Sequence, residues 1–214
     1  MKDNGGFMEK LNKDILVEVF GLKKKLRTGW MLPGRDIKAD EVESVADHTW
    51  AACMIAELFL PETMEELVDL IGHEPGVEEY DKKEILRILI IHDLSEAYVG
   101  DIALGYKTDV DRQNEENRMA YYASLAKYAP FQNFAKIFQR WENYEERKSY
   151  NSKIVKDIDQ LECYIQLYMY KNIIIDRNGK SHWEELARDW ADRLKIRTNY
   201  GKWLYNFIYN SLFS

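Results

Sequence analysis

The chain has 214 residues, with 30 Lys and Arg against 37 Asp and Glu, giving a formal net charge of −7. That length suffices for one well-filled domain and is short for two. The acidic balance argues against nonspecific binding to a nucleic-acid polymer or an anionic membrane, while leaving room for a small anionic ligand in a local pocket.

The start, Met1 to Gly6, is not followed by an apolar h-region, and no apolar run approaches the ~18 residues of a membrane span. Cys53 and Cys163 are far apart and form no CxxC pair, which reads as core thiols in a reducing compartment. The expected location is cytoplasmic.

Four prolines and no sustained period-2 alternation predict an all-α fold. Residues 7–27 carry a helical stripe of Leu11, Ile15, Val19 and Leu22, and 31–40, with Pro33-Gly34, reads as a loop. A helix over about 41–60 places Val45, His48, Ala52, Ile55 and Phe59 on one face. Thr63 with Glu66, and Asp81 with Glu84, form capping-box patterns, the second opening a central helix that is expected to run to Gly100. On it Ile85, Ile88, His92 and Glu96 share a face, with Leu86, Leu89, Asp93 and Ala97 beside them. Residues 109–128 predict a polar helix and 131–147 an aromatic one. A long helix over about 152–175 shows a core stripe of Ile154, Ile158, Leu161, Ile165 and Tyr168. Beside it runs Val155, Asp159, Glu162 and Gln166. Ser181 and Glu184 predict a cap, and 203–213 a final aromatic helix. A main unit over 1–176 with a helical extension over 177–214 packed on it makes one domain.

The run Ile88-Leu89-Ile90-Ile91 ends in His92-Asp93, and a core helix has no reason to put those groups at its most apolar point. An unpartnered buried carboxylate costs several kcal/mol, which a cation offsets. Neighbouring helix residues point ~100° apart, so His92 and Asp93 can reach one ion from adjacent directions. His48 and Asp159, on the core sides of two other helices, complete a set of two imidazoles and two carboxylates. That set suits a first-row divalent metal ion (Mn²⁺, Co²⁺, Fe²⁺ or Zn²⁺), with positions left for water. Glu96, one turn past His92, is placed as general base, general acid or water-positioning group, and Asp101 as a catalytic helper or a hydroxyl ligand. Asp157, two residues from Asp159, falls on the far side of its helix. Glu162 reads equally as partner of a ligand histidine or as an ordinary ion-pair residue. Asp47 reads as a surface charge, and His73 and His182 as exposed and idle.

At these residues the sequence resembles the HD-domain metal-dependent phosphohydrolases, whose pattern is His, His-Asp and a distant Asp. It is closest to the 5′-deoxynucleotidase branch, through Leu-Arg-Thr-Gly-Trp (26–30), Glu-Ser-Val-Ala-Asp-His (43–48), Ile-His-Asp-Leu-Ser-Glu-Ala-Tyr-Val-Gly-Asp-Ile (91–102) and Lys-Asp-Ile-Asp-Gln-Leu-Glu (156–162). The resemblance spans about 8–175. It implies an all-α HD-domain bundle and a divalent metal (Mg²⁺ being a further candidate) on His48, His92, Asp93 and Asp159, with Glu96 near the attacking water and Asp101 near the scissile group or the sugar. It also implies hydrolysis of deoxynucleoside 5′-monophosphates, usually by a homodimer, with Arg27 and Trp30 as nucleotide contacts. Glu115 is the nearest match to an acidic residue that serves a second ion in some relatives, the other reading of Glu115-Glu116 being a solvated face. Here Arg27 and Trp30 are separated by Thr28-Gly29, loop 31–40 is long, and 72–80 looks inserted. Two alternatives stay open: the same chemistry on another nucleotide or small phosphorylated metabolite, and a non-catalytic helical binding protein that keeps the ion for stability.

Overall fold

Three helices enclose the centre of the molecule. In the computed structural model, which describes residues 4–103 and 105–213, the chain runs as α1 (Asn4–Phe20), α2 (Val45–Phe59), α3 (Met64–Ile71), α4 (Lys82–Ile91), α5 (Glu96–Val99), α6 (Asp109–Ser124), α7 (Phe134–Glu146), α8 (Tyr150–Met169), α9 (Lys171–Asn178), α10 (Lys180–Arg193) and α11 (Asn199–Leu212). Met1 to Asp3, the first half of the stretch Met1 to Gly6, lie outside the described residues. Among those residues the only β pairing is one isolated antiparallel bridge, Leu26 with Ser44, so the fold is all-α.

Helices α2, α4 and α8 pack against one another, and two apolar cores meet at the end of α4. Ile88 and Leu89 belong to the larger core with Ala52, Ile55, Ile154, Ile158 and Leu161. Ile91 and Leu94 belong to a second one with Leu11, Ile15, Met119, Tyr122 and Trp141, from α1, α6 and α7. His92 lies on the seam.

Local hydrogen bonding sets the helix ends. Ser44 and Asp47 form a reciprocal capping box, so the helix expected from 41 starts at Val45, and Asp47, though exposed, is a cap. Asp81 accepts from the Lys83 and Glu84 N–H groups, but the Glu84 carboxylate turns away to Arg140 at 2.7 and 3.0 Å. The box predicted there is half made. The predicted Ser181 cap is absent: α10 follows directly on Gly179, whose φ of +88° only glycine holds without strain. The long helix ends at Met169 and restarts as α9 after Tyr170. In the second half of α8, Tyr164 and Leu167 are fully buried, whereas Ile165 and Tyr168 are half-buried. His182, expected to be idle, places Nε2 2.5 Å from the Gly34 carbonyl and ties loop 31–40 to α10. Cys53 and Cys163 are free and only partly buried. No helix among the described residues is long and apolar enough to cross a membrane.

The C-terminal helices join the same core through Trp183, Tyr200, Leu204 and Ile208. Their anchor is Asp157. Its buried carboxylate accepts from Arg197 N at 3.0 Å, Thr198 N at 2.9 Å and Thr198 Oγ1 at 2.7 Å. Gly201 passes so close that an added Cβ would lie 2.3 Å from Asp157 Oδ2. Asp157 is thus on the opposite face from Asp159, as periodicity indicates, yet it is buried. Asp157→Ala is expected to cost about 3 kcal/mol, because donors to a charged acceptor are left unsatisfied. A lowered urea midpoint with an unchanged metal content is the outcome to look for.

Candidate metal centre

The central helix does not run to Gly100. It stops at Ile91, and residues 92–95 turn more tightly through i→i−3 bonds, Leu94 N to Ile91 O at 3.1 Å and Glu96 N to Asp93 O at 3.0 Å. That turn delivers His92 and Asp93 into the space between α2 and α8. His48 comes from α2 and Asp159 from α8, so all four expected ligands meet.

Both imidazoles are held by Nδ1 and converge through Nε2. His92 Nδ1 lies 2.6 Å from the Leu89 carbonyl, and His48 Nδ1 is hydrogen-bonded to Glu162 Oε2. The two Nε2 atoms are 3.4 Å apart. Asp93 Oδ2 is 3.2 Å from His92 Nε2 and 3.7 Å from His48 Nε2. Asp159 Oδ1 is 3.2 and 3.9 Å from His48 and His92 Nε2. Neighbouring donors on one ion at ~2.1 Å lie ~3–3.4 Å apart; His48, His92 and Asp93 lie close enough together to share one cation, and Asp159 Oδ1 stands beside that group at 3.2 Å from His48 Nε2. Burial of the two rings suits it too, since an Nδ1–H donor leaves the Nε2 lone pair for a metal. His48, Glu162 and Cys163 also lie close enough together to share an ion. That grouping would need His48 Nδ1, which Glu162 already occupies, so the Nε2 grouping is the better centre. Glu162 is therefore the orienting partner of His48.

The electrostatics agree. Burial and Arg27 disfavour a charged His48, but Glu162, Asp159 and Cys163 outweigh them and raise its proton affinity well above the ordinary value. Burial would raise the Asp159 carboxyl, yet Lys156 and the two histidines hold it well below the carboxylate range. Asp93 is lowered against burial by His92 and Arg27. Protons and a metal compete for His48, so Mn²⁺ affinity is expected to rise with pH, with release of about one proton per ion bound. Glu162→Gln should weaken Mn²⁺ binding about 10–100-fold; calorimetry in buffers of different ionisation enthalpy reads both effects.

Three residues not singled out as site groups border the centre. The Tyr144 hydroxyl donates to Asp159 Oδ2 at 2.9 Å, and Lys156 Nζ lies 3.1 Å from the same oxygen and 2.5 Å from the Tyr144 hydroxyl. Lys156 stands three residues before Asp159, the one sequence signal for it. The third, Cys163, receives an Arg27 N–H at 3.5 Å.

Glu96 is buried, 6% exposed, and its Oε2 has no hydrogen-bond partner among the described residues. Burial first, then Asp93 and Asp101, raise its carboxyl well above the ordinary range. Asp101 accepts from Thr28 N and Thr28 Oγ1, both at 2.6 Å, and from Arg27 Nη1 at 3.0 Å. Both its oxygens are committed to holding the Arg27-Thr28 segment. Arg27 also reaches Asp93 at 3.3 Å. Trp30 is placed differently from its expected nucleotide contact. It is 3% exposed, stacks on Trp190 at 4.9 Å and donates Nε1 to Glu43 at 2.8 Å. Its ring is core, because an indole with a buried acceptor gains more there than at a rim. Glu115 is buried against Lys107 at 2.6 Å, whereas Glu116 is exposed.

A family model described as HD domain matches residues 20–189. The chain is 30% identical over 150 residues to the 5′-deoxynucleotidase HDDC2 of Dictyostelium discoideum, spanning 70% of this chain and 72% of that protein. It is 29% identical over 178 residues to the 5′-deoxynucleotidase HDDC2 of Danio rerio, spanning 77% of each. Among solved structures, the PH0347 protein of Pyrococcus horikoshii aligns with a TM-score of 0.59 at 25% identity, over 93% of this chain and 96% of that one. An HD-domain phosphohydrolase from Listeria innocua aligns with a TM-score of 0.60 at 17% identity, over 94% and 88%, a likeness of fold.

Proposed function

The chain belongs to the HD-domain family, and we propose that it is a metal-dependent phosphomonoesterase that hydrolyses deoxynucleoside 5′-monophosphates to deoxynucleosides and phosphate. The observation that carries this reading is the meeting of His48, His92, Asp93 and Asp159 beside a buried, unpartnered Glu96. The names of the relatives, 5′-deoxynucleotidases in Dictyostelium and zebrafish, support the substrate class.

His48, His92, Asp93 and Asp159 would hold a divalent ion, whose chemistry there would be to acidify a water and polarise a phosphoryl oxygen. The chain's own groups do the rest. Glu96 Oε2 takes the proton of the attacking water and returns it to the 5′ oxygen as the P–O bond breaks. Arg27 places positive charge beside Asp93, where charge builds on the phosphoryl group, and Asp101 with Thr28 fixes its position. Glu162 and Tyr144 hold His48 and Asp159 in place. A homodimer and a cytoplasmic location belong to this reading; sedimentation equilibrium tests the first.

The test is phosphate release by protein loaded with Mn²⁺ or Co²⁺ across deoxynucleoside and ribonucleoside 5′-monophosphates. Release from the deoxy series and not the ribo series is expected. Equal release from both would overturn the sugar preference. No release from either, with metal bound, would sink the hydrolase.

A further inference from the structure

Three cations that border the centre each hold a carboxylate already. Arg27 pairs with Asp93 and Asp101, Lys156 with Asp159, and Lys107 with Glu115. Arg35, in the loop between Trp30 and α2, differs: among the described residues no carboxylate lies within ion-pair distance of it. Its Nη1 donates to the Gly29 carbonyl at 2.5 Å, and its guanidinium lies over the Trp190 ring, 4.5 Å from the centroid. Burial, aided by the nearby Arg193 charge, holds it below its ordinary proton affinity.

Its position is next to the catalytic segments. A Cβ on Gly29 would stand 3.2 Å from Arg35 Nη1 and 3.7 Å from the Ala103 Cβ. The guanidinium thus adjoins the backbone at Gly29, which itself passes close to Ala103 in the stretch that follows Asp101. Cys163, which touches Arg27, also lies within the electrostatic reach of Arg35. A half-desolvated fork of N–H donors without a counter-charge is unfavourable until an anion takes it. Stacking on Trp190 holds the fork in one orientation beforehand, which lowers the entropy cost of binding. The His182 bond to Gly34 fixes the same loop from the same helix, α10.

We propose that Arg35, held by Trp190 of α10, is a second anion anchor of this site, one that grips phosphoryl oxygens of the ligand. The C-terminal helices would then serve binding as well as packing. Only the identity of the anion rests on the proposed nucleotidase activity.

The experiment compares Mn²⁺-loaded wild type, Arg35→Gln and Arg35→Lys by calorimetric titration with inorganic phosphate, and by KM and kcat on a deoxynucleoside 5′-monophosphate. Arg35→Gln should weaken phosphate binding about tenfold or more and load its defect on KM more than on kcat, with Arg35→Lys in between. Inhibition by the free deoxynucleoside should not change. Phosphate affinity within twofold of wild type in both variants overturns the proposal, even if melting temperatures fall, because Arg35 then only pins the loop. A loss confined to deoxynucleoside binding also overturns it. If Arg35→Gln does not fold, Arg35→Lys decides by the same titration. A wild type that hydrolyses no deoxynucleotide while phosphate binding still depends on Arg35 refutes the nucleotidase reading and leaves the anchor standing.

Discussion

His92→Ala is expected to abolish phosphate release and to weaken Mn²⁺ binding by more than about a hundredfold. His92 gives the centre its middle donor: its Nε2 is 3.4 Å from His48 Nε2 and 3.2 Å from Asp93 Oδ2. Without it, two carboxylates and one imidazole remain. The ring also packs edge-on against Tyr144 at 5.4 Å, so its removal opens a small cavity, and a stability loss of about 1–3 kcal/mol should accompany the substitution. Circular dichroism separates the two effects, since it reports whether the helices stay formed whatever the metal content. A folded His92→Ala protein that retained stoichiometric metal and turnover would refute the centre.

Glu96→Gln should keep the metal and lose the reaction, with kcat down about 10²–10⁴-fold. Gln has nearly the same size and fits the same buried space, but cannot carry a proton. The pH profile adds an independent readout. Burial, Asp93 and Asp101 raise the Glu96 carboxyl above the ordinary range, and the base form exists only above that raised value. Activity limited by Glu96 therefore climbs as pH rises through it, and this limb should vanish in the residual activity of the Gln variant. Metal affinity climbs with pH as well, through His48, so the profile must be taken at saturating Mn²⁺. Retained kcat with an unchanged limb would remove Glu96 from the reaction.

Sequence periodicity reported a great deal about this site because His48 and Asp159 stand on helices with clear apolar stripes, and His92-Asp93 directly follows a third. Val45, Ala52 and Ile55 fix which way His48 faces, and Ile154, Ile158 and Leu161 do the same for Asp159 against Asp157. The Glu162 role could not be chosen from spacing, since the same position on α8 serves an ion pair or a histidine equally well. The half-made box at Asp81 shows the same limit: Glu84 had a local partner in the sequence and a stronger one, Arg140, across the fold.

The helical class and the helix faces that carry His48 and Asp159 were determined by the sequence alone, because side-chain direction along a helix follows from rise and twist. The tertiary structure decided where α4 stops, that Trp30 is core, that Asp101 grips Arg27 and Thr28, and that Asp157 ties α11 to α8. Each of those is a competition among donors and acceptors far apart in the chain, and its outcome depends on which groups packing brings within 3 Å.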